Sequence, residues 1–551
     1  MSSPPTDLEQ ARAAFARRAW REARDAFTAA RSAGPLSRAD LGALAVAADL
    51  TGDDELLMTA LDEAHAAAVD AGAPVEGARW AFWMGFHLIT RGEMAAAGGW
   101  FGRAQRLLEQ TEDACVERGY LLLPAALRAL ESGGLEQARA TAARAIEMAQ
   151  RFREPDLLAL ALHVEGRALL RAGQLPEGLA RLDEAMVAVA RGETSPPVTG
   201  VVYCAVIAAC REVWELRRAQ EWTTALTRWC EGQPDLVPFA GECLVFRAEI
   251  LQRRGEWEQA FSAAHRALEC AQRSGKASVV GAAHYQQAEL HRVRGALEHA
   301  EAAYQAASRE GLQPLPGLAA LRLHQGDVTA AHALLRRALA ETPAAHRRAR
   351  LLPTWIDVLL RRGDVGGAEE AAAELTDIAR RFGSDTLEAT AARAQGAVAL
   401  ARGAPEDGVA PLRIAADLWE SSGVPHETAR TRVLLAAACR AMGDAEGAAL
   451  EEDAARRTFA ALGIDPDRAP LDAPGSAADE EAQDFGLTPR EREVLALLAT
   501  GLTNRALGER LGIREKTVAR HVANLYGKLG LSSRAAATAF AYEHGLLGGP
   551  A

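Results

Sequence analysis

The chain has 551 residues and a formal net charge of −12, with 49% apolar and 25% charged side chains. That balance excludes a mostly disordered chain, and no apolar stretch reaches the ~18 residues that suggest a membrane span. The length allows three or four ordinary domains, or one long repeat array with a small module.

The start, Met1-Ser2-Ser3-Pro4-Pro5, has neither a basic region nor an apolar core, so no export signal is expected. Seven cysteines between Cys115 and Cys439 form no Cys-x-x-Cys pair. They read as buried, reduced thiols of a cytoplasmic protein, with a redox sensor among Cys204, Cys210, Cys230, Cys243 and Cys270 as the less favoured reading.

From Gly92 a signature recurs: a turn glycine, four residues, then a small residue opening the next helix. It runs Gly92 to Ala97, Gly133 to Ala138, Gly173 to Gly178, Gly255 to Ala260, Gly295 to Ala300, Gly326 to Ala331, Gly363 to Ala368, Gly403 to Gly408 and Gly443 to Ala448. Weaker copies stand at Arg18 to Ala23 and Gly52 to Leu57, and Trp214 to Ala219 fills one place without its glycine. From residue 52 the steps are 40, 41, 40, 41, 41, 40, 31, 37, 40 and 40. The glycine ends one helix in the left-handed region, and the small residue lets the next helix lie close. One such hairpin cannot bury its own apolar face, whereas a stack buries a continuous core and curves. The 31-residue step predicts a shortened unit and a bend. The signature resembles tetratricopeptide repeats, with a period above their ~34 residues. It is more similar to the extended repeats of large MalT-like bacterial regulators, over roughly residues 7–462.

Such an array is expected to offer a concave surface to a protein or small-molecule effector. Two segments are aromatic-rich: Trp80, Phe82, Trp83, Phe86, Trp100 and Phe101, and then Tyr203, Trp214, Trp222, Trp229 and Phe239. Filling between helices is the favoured reading of both. Tyr203, Trp214, Trp222 and Trp229 are the candidates for a ligand or partner pocket.

Residues 464–484 are turn-rich and carry a net −6, which reads as a solvated tether after an array over 1–463. The last 65 residues hold nine cations and five acids, a net +4, so the chain's acidity hides a basic end. Four helices are predicted there. Thr488 caps the first, with Pro489 at its first position and Glu491 completing a capping box. Gly501 stops it. Thr503 caps the second, Gly512 ends it, and the third runs from about Glu515 to Leu529, closed by Gly530. Ser533 caps the fourth.

Two short helices joined at Gly512-Ile513 predict a helix-turn-helix whose second helix enters the major groove of double-stranded DNA. Its outward face carries Lys516, Ala519, Arg520, Ala523 and Asn524. Arg520 can reach guanine by two hydrogen bonds, the alanines permit close approach, and Asn524 has a base or a phosphate within range. Arg514, Lys516 and Lys528 would serve phosphates.

In a C-terminal domain expected over 485–551, the runs Leu487-Thr488-Pro489-Arg490-Glu491-Arg492-Glu493-Val494-Leu495, Gly501-Leu502-Thr503-Asn504 and Lys516-Thr517-Val518-Ala519-Arg520-His521-Val522 closely resemble LuxR-type DNA-binding domains, over about residues 485–547. Lys528-Leu529-Gly530 and Arg534 complete the match. The resemblance implies a four-helix module whose third helix reads DNA and whose fourth forms a homodimer. It also implies that Ala519, Arg520 and Ala523 face bases and that Thr517 and His521 fix the helix. The sequence departs from the family at Arg514, where a capping Ser is usual, and at Ala506-Leu507-Gly508, where Glu-Ile-Ala is common.

The expected fold is therefore all-α, a tetratricopeptide-like superhelix and a small helix-turn-helix domain. The expected function is sequence-specific transcription regulation, with RNA polymerase as a further partner and no membrane. The alternative is an interaction scaffold whose terminal module has little DNA role. No cofactor or metal site is expected. Gly275-Lys276 lacks the flanking residues of a phosphate-binding loop, and no catalytic constellation appears.

Overall fold

The computed structural model describes residues 6–464 and 489–543, apart from 113, 234, 237–239, 275–276, 500–501, 530 and 532. The expectations for Gly275-Lys276, Phe239, Thr488, Gly501, Gly530 and the linker beyond Ile464 lie outside them. The chain divides into two compact units, Met1–Pro474 and Gly475–Ala551. Both are built from helices and turns, with no strand among the described residues.

The first unit is a stack of antiparallel helical hairpins from Asp7–Ala16 to Ala445–Ala461. One turn shows how the signature works. Pro155–Arg171 ends at Ala172, Gly173 takes φ +87°, and Leu175–Ala190 begins two residues later. The Gly173 amide donates to Leu170 O at 2.9 Å and the Gln174 amide to Leu169 O at 2.9 Å. This double closure satisfies carbonyls that the helix end would leave unpaired. The signature glycines from Gly92 to Gly443 all have positive φ. The small residues five positions on are buried, Ala138, Ala260, Ala300, Ala331 and Ala368 completely.

Trp214 makes the same turn without a glycine. Its φ is +64°, its amide donates to Arg211 O, and the Glu215 amide donates to Cys210 O at 2.8 Å. Holding a side chain in that region costs about 1–2 kcal/mol. Arg18, in a weaker copy, does likewise at φ +61°.

The 31-residue step comes from a short helix, Gly317–His324. A Cβ on Gly317 would meet the Tyr304 hydroxyl and the Glu289 carboxylate, so the shortened unit sits hard against its neighbour.

Distant repeats also touch. Trp20 Nε1 donates to Gln233 Oε1 at 3.0 Å, Arg381 Nη2 to Arg171 O at 3.2 Å, and Ser384 Oγ to Trp214 O at 3.0 Å. Trp257 is buried with Phe459 and Ile464, the first residue of the segment expected as linker. These pairs are about four or five repeats apart, so successive turns of the superhelix pack on one another. The aromatic segment around Phe82 is core: its ring lies 5.2 Å from Trp83, 6.0 Å from Phe101 and 5.1 Å from Tyr120. The seven cysteines, all among the described residues, form no disulfide, and burial pushes the Cys210 thiol up to about 12.

Candidate nucleic-acid interface

The second unit contains the helices Pro489–Ala499, Asn504–Leu511, Glu515–Leu529 and Arg534–Glu543. Their apolar faces meet in one core of Val494, Leu495, Leu498, Leu507, Val518, Val522, Leu525, Ala537 and Ala541. The inward residues of the third helix are four and three apart, which fixes its opposite face toward solvent. The Thr503 hydroxyl accepts from the Ala506 amide at 3.3 Å, and Ser533 does the same for Ala536 at 3.1 Å. Both caps stand where the sequence places them.

Between the second and third helices, Gly512 takes φ +66° and the Ile513 amide donates to Gly508 O at 3.0 Å. A Cβ on Gly508 would lie 2.7 Å from Ile513 O. The departure from the usual alanine thus serves a tight turn rather than flexibility alone. This is the helix-turn-helix geometry.

The eight residues singled out for DNA, Arg514, Lys516, Thr517, Ala519, Arg520, Ala523, Asn524 and Lys528, are all exposed. They lie on the third helix or at its start. One of these, Lys528, and two other cations hold the module together. Lys528 Nζ donates to Glu491 Oε2 at 2.7 Å, joining the third helix to the first. Arg490 Nη2 donates to Leu511 O at 2.6 Å, and Arg534 reaches Leu502 O and Asn504 Oδ1. Sequence reasoning gave Glu491 a capping role and did not foresee its pairing 37 residues away, for which the linear text carries no signal.

In the array, the four candidate aromatics do not form one site. Tyr203 and Trp229 pack on each other, ring centroids 6.2 Å apart, and Tyr203 is buried. Trp222 packs against the same core. Trp214 alone lines a cavity.

The fold and this geometry define a helical repeat array with a helix-turn-helix domain. Residues 486–541 match the family model described as bacterial regulatory proteins, luxR family, so the C-terminal domain is of LuxR type. The chain is 43% identical over 67 residues to the DNA-binding transcriptional activator DevR/DosR of Mycobacterium tuberculosis, covering 12% of this chain and 31% of that protein. It is 44% identical over 61 residues to the transcriptional regulatory protein LiaR of Bacillus subtilis, 11% of this chain and 29% of that one. A protein named as an HTH-type transcriptional regulator in Mycobacterium tuberculosis is 30% identical over 272 residues, 38% of this chain and 28% of the other. That share exceeds the C-terminal domain, so this similarity reaches into the repeats. The chain spans between a quarter and a third of the length of these curated relatives. Among solved structures, a Rap protein complexed with competence and sporulation factor matches 70% of this chain and 99% of that chain at 14% identity, with a TM-score of 0.38. No helix among the described residues is long and apolar enough to cross a membrane.

Proposed function

We propose that the chain is a one-component transcription regulator. The C-terminal domain binds promoter DNA through its third helix, and the repeat array receives a protein or small-molecule effector. The observation that carries this reading is the exposed face of Glu515–Leu529, where Arg520 stands between Ala519 and Ala523 with Lys516 one turn before it. A long cationic side chain flanked by small residues suits close approach to base edges, and the flanking charges suit phosphates. Arg514 and Lys528 would extend the phosphate contacts, Asn524 would meet a base or phosphate, and Thr517 would fix the helix. A homodimer through the fourth helix and a contact with RNA polymerase belong to the same proposal.

Selection of duplex DNA from a random pool with the full chain tests it. An enriched site is expected, with affinity falling steeply as salt rises. No enriched site, with or without cell extract, would favour an interaction scaffold instead.

A further inference from the structure

The closing of the superhelix leaves a cavity of about 400 Å³ between two of its turns. Its walls are the turn at Trp214, the helix Ala240–Arg253, and the starts of the helices Asp385–Ala401 and Pro425–Ala441. That volume suits a small organic molecule.

The wall is cationic at its inner end. Glu249 accepts from Arg211, and Arg253 Nη2 lies 3.4 Å from its other oxygen. Burial works to raise the Glu249 carboxyl, yet Arg211, Arg253 and Arg350 overcome it and hold the group at about 2. The lining as a whole carries Arg211, Arg217, Arg253 and Arg254 against Glu215, Glu249 and Asp385, an excess of one positive charge, which a further anion would balance. Burial also presses the Arg211 guanidinium down, and the Arg350 charge adds to that. Glu215 and Asp385 line the same cavity, where burial and the Asp385 charge push Glu215 up.

Two helix starts add to the cationic end. The Ser384 hydroxyl donates to Trp214 O rather than capping its own helix, and Val424 offers no side-chain cap to the next. Their first-turn amides carry partial positive charge. Trp214 supplies a flat apolar wall. It is held in the left-handed region, its indole N–H is buried without a hydrogen-bond partner, and the Arg253 guanidinium lies 5.6 Å from its ring. A strained aromatic with an orphaned donor at a cavity is a signature of a built site.

We propose that this cavity binds a small organic anion, a carboxylate or phosphate monoester carrying a flat ring. The anionic group lies against Arg253 and Arg254, away from Asp385 and Glu215, and the ring lies on Trp214. This deepens the sensory reading of the array and rests on it for the meaning of the ligand, although binding itself is measured without DNA.

Calorimetric titration of the full chain with benzoate, phenyl phosphate and inorganic phosphate tests the proposal. Saturable binding of benzoate or phenyl phosphate is expected, about tenfold tighter than inorganic phosphate. Which of the two binds tells carboxylate from phosphate. Arg253→Gln should weaken binding by about tenfold, and Trp214→Leu should remove the preference for the ring. Arg254→Gln, at a half-exposed position on the same wall, should weaken it as well and guards against a folding failure in the other variants. Arg139→Gln, an exposed residue paired with Glu136, should bind as the parent does. No saturable binding of either ring compound at millimolar concentration overturns the proposal, as does binding unchanged in both arginine variants. Inorganic phosphate binding as tightly as its phenyl ester does so too. Loss of DNA binding in the selection above leaves this result standing, and the reverse holds.

Discussion

Lys528 Nζ meets Glu491 Oε2 at 2.7 Å, and the carboxylate is almost fully buried while the lysine is about a third exposed. The lysine that looked free for a phosphate therefore also neutralises a charge inside the C-terminal domain. Removing one partner of a buried pair costs about 3–5 kcal/mol, because the other charge is stranded. The exposure of Lys528 reduces this to about 1–3 kcal/mol for Lys528→Met. Hydrogen exchange of the Pro489–Ala499 amides in the full chain should accelerate accordingly. Glu491→Met combined with Lys528→Met should recover most of that protection. If DNA affinity stays low in the recovered double variant, Lys528 also serves a phosphate; if it returns, the role is structural alone.

Arg520 and Lys516 should fail in different ways. Arg520→Ala is expected to cost about 1–3 kcal/mol of binding and to relax preference at one base pair. Lys516→Ala should weaken all sequences alike and flatten the slope of log affinity against log salt by about one. Competition titrations over a set of single-base variants of the selected site separate the two. Arg520→Ala with its base preference intact would show that another residue reads the sequence.

Much of this architecture was legible because it is periodic. The turn glycines marked hairpin ends, down to Trp214 and Arg18, which take the left-handed conformation that the spacing demanded of them. In the third helix of the C-terminal domain, Val518, Val522 and Leu525 turned inward as their spacing required, which put Arg520 outward. What the sequence could not show was pairing between distant positions. Trp20 with Gln233, Ser384 with Trp214 and Lys528 with Glu491 depend on how many repeats complete a superhelical turn or how four short helices cross. For the same reason, four aromatics close in sequence separated into a core pair, a packed tryptophan and one cavity wall.

Close helix approach gives the signature its small residues, and two glycines test this. A Cβ on Gly178 would lie 2.9 Å from Gly166 O and 2.8 Å from Leu170 Cδ2, and one on Gly166 would lie 3.0 Å from Gly178 O. The helices Pro155–Arg171 and Leu175–Ala190 therefore touch backbone to backbone. Gly178→Ala should destabilise the array by about 1–3 kcal/mol through overpacking, more than offsetting the ~1 kcal/mol gained in helix propensity. Gly99, exposed within Met94–Glu109, has nothing within 4 Å of its Cβ position. Gly99→Ala should instead stabilise by about 0.5–1 kcal/mol. Urea midpoints of the two variants moving in the same direction would contradict this account.

His163 makes the array sensitive to mild acid. It is buried on Pro155–Arg171, and burial, with the neighbouring Arg167 charge, pushes its pKa down to about 3. The native imidazole is thus neutral, whereas in the unfolded chain it takes up a proton near pH 6.5. Between those values the unfolded state binds more protons, so stability falls as pH drops below 6.5. The loss is about 1.4 kcal/mol per pH unit, or about 2 kcal/mol by pH 5. Buried carboxylates such as Glu249, held at about 2, lose their contribution only below the ordinary carboxylate range. Asp156 and Glu215, pushed up by burial, act in the opposite sense, and His291 and His332, lowered by burial and nearby charge, act as His163 does, so the share of His163 is read from its own variant. His163→Phe should flatten the decline by about 2 kcal/mol between pH 7 and 5. Urea denaturation at the two pH values measures this directly, and an unchanged difference between them would mean that His163 is charged in the native array.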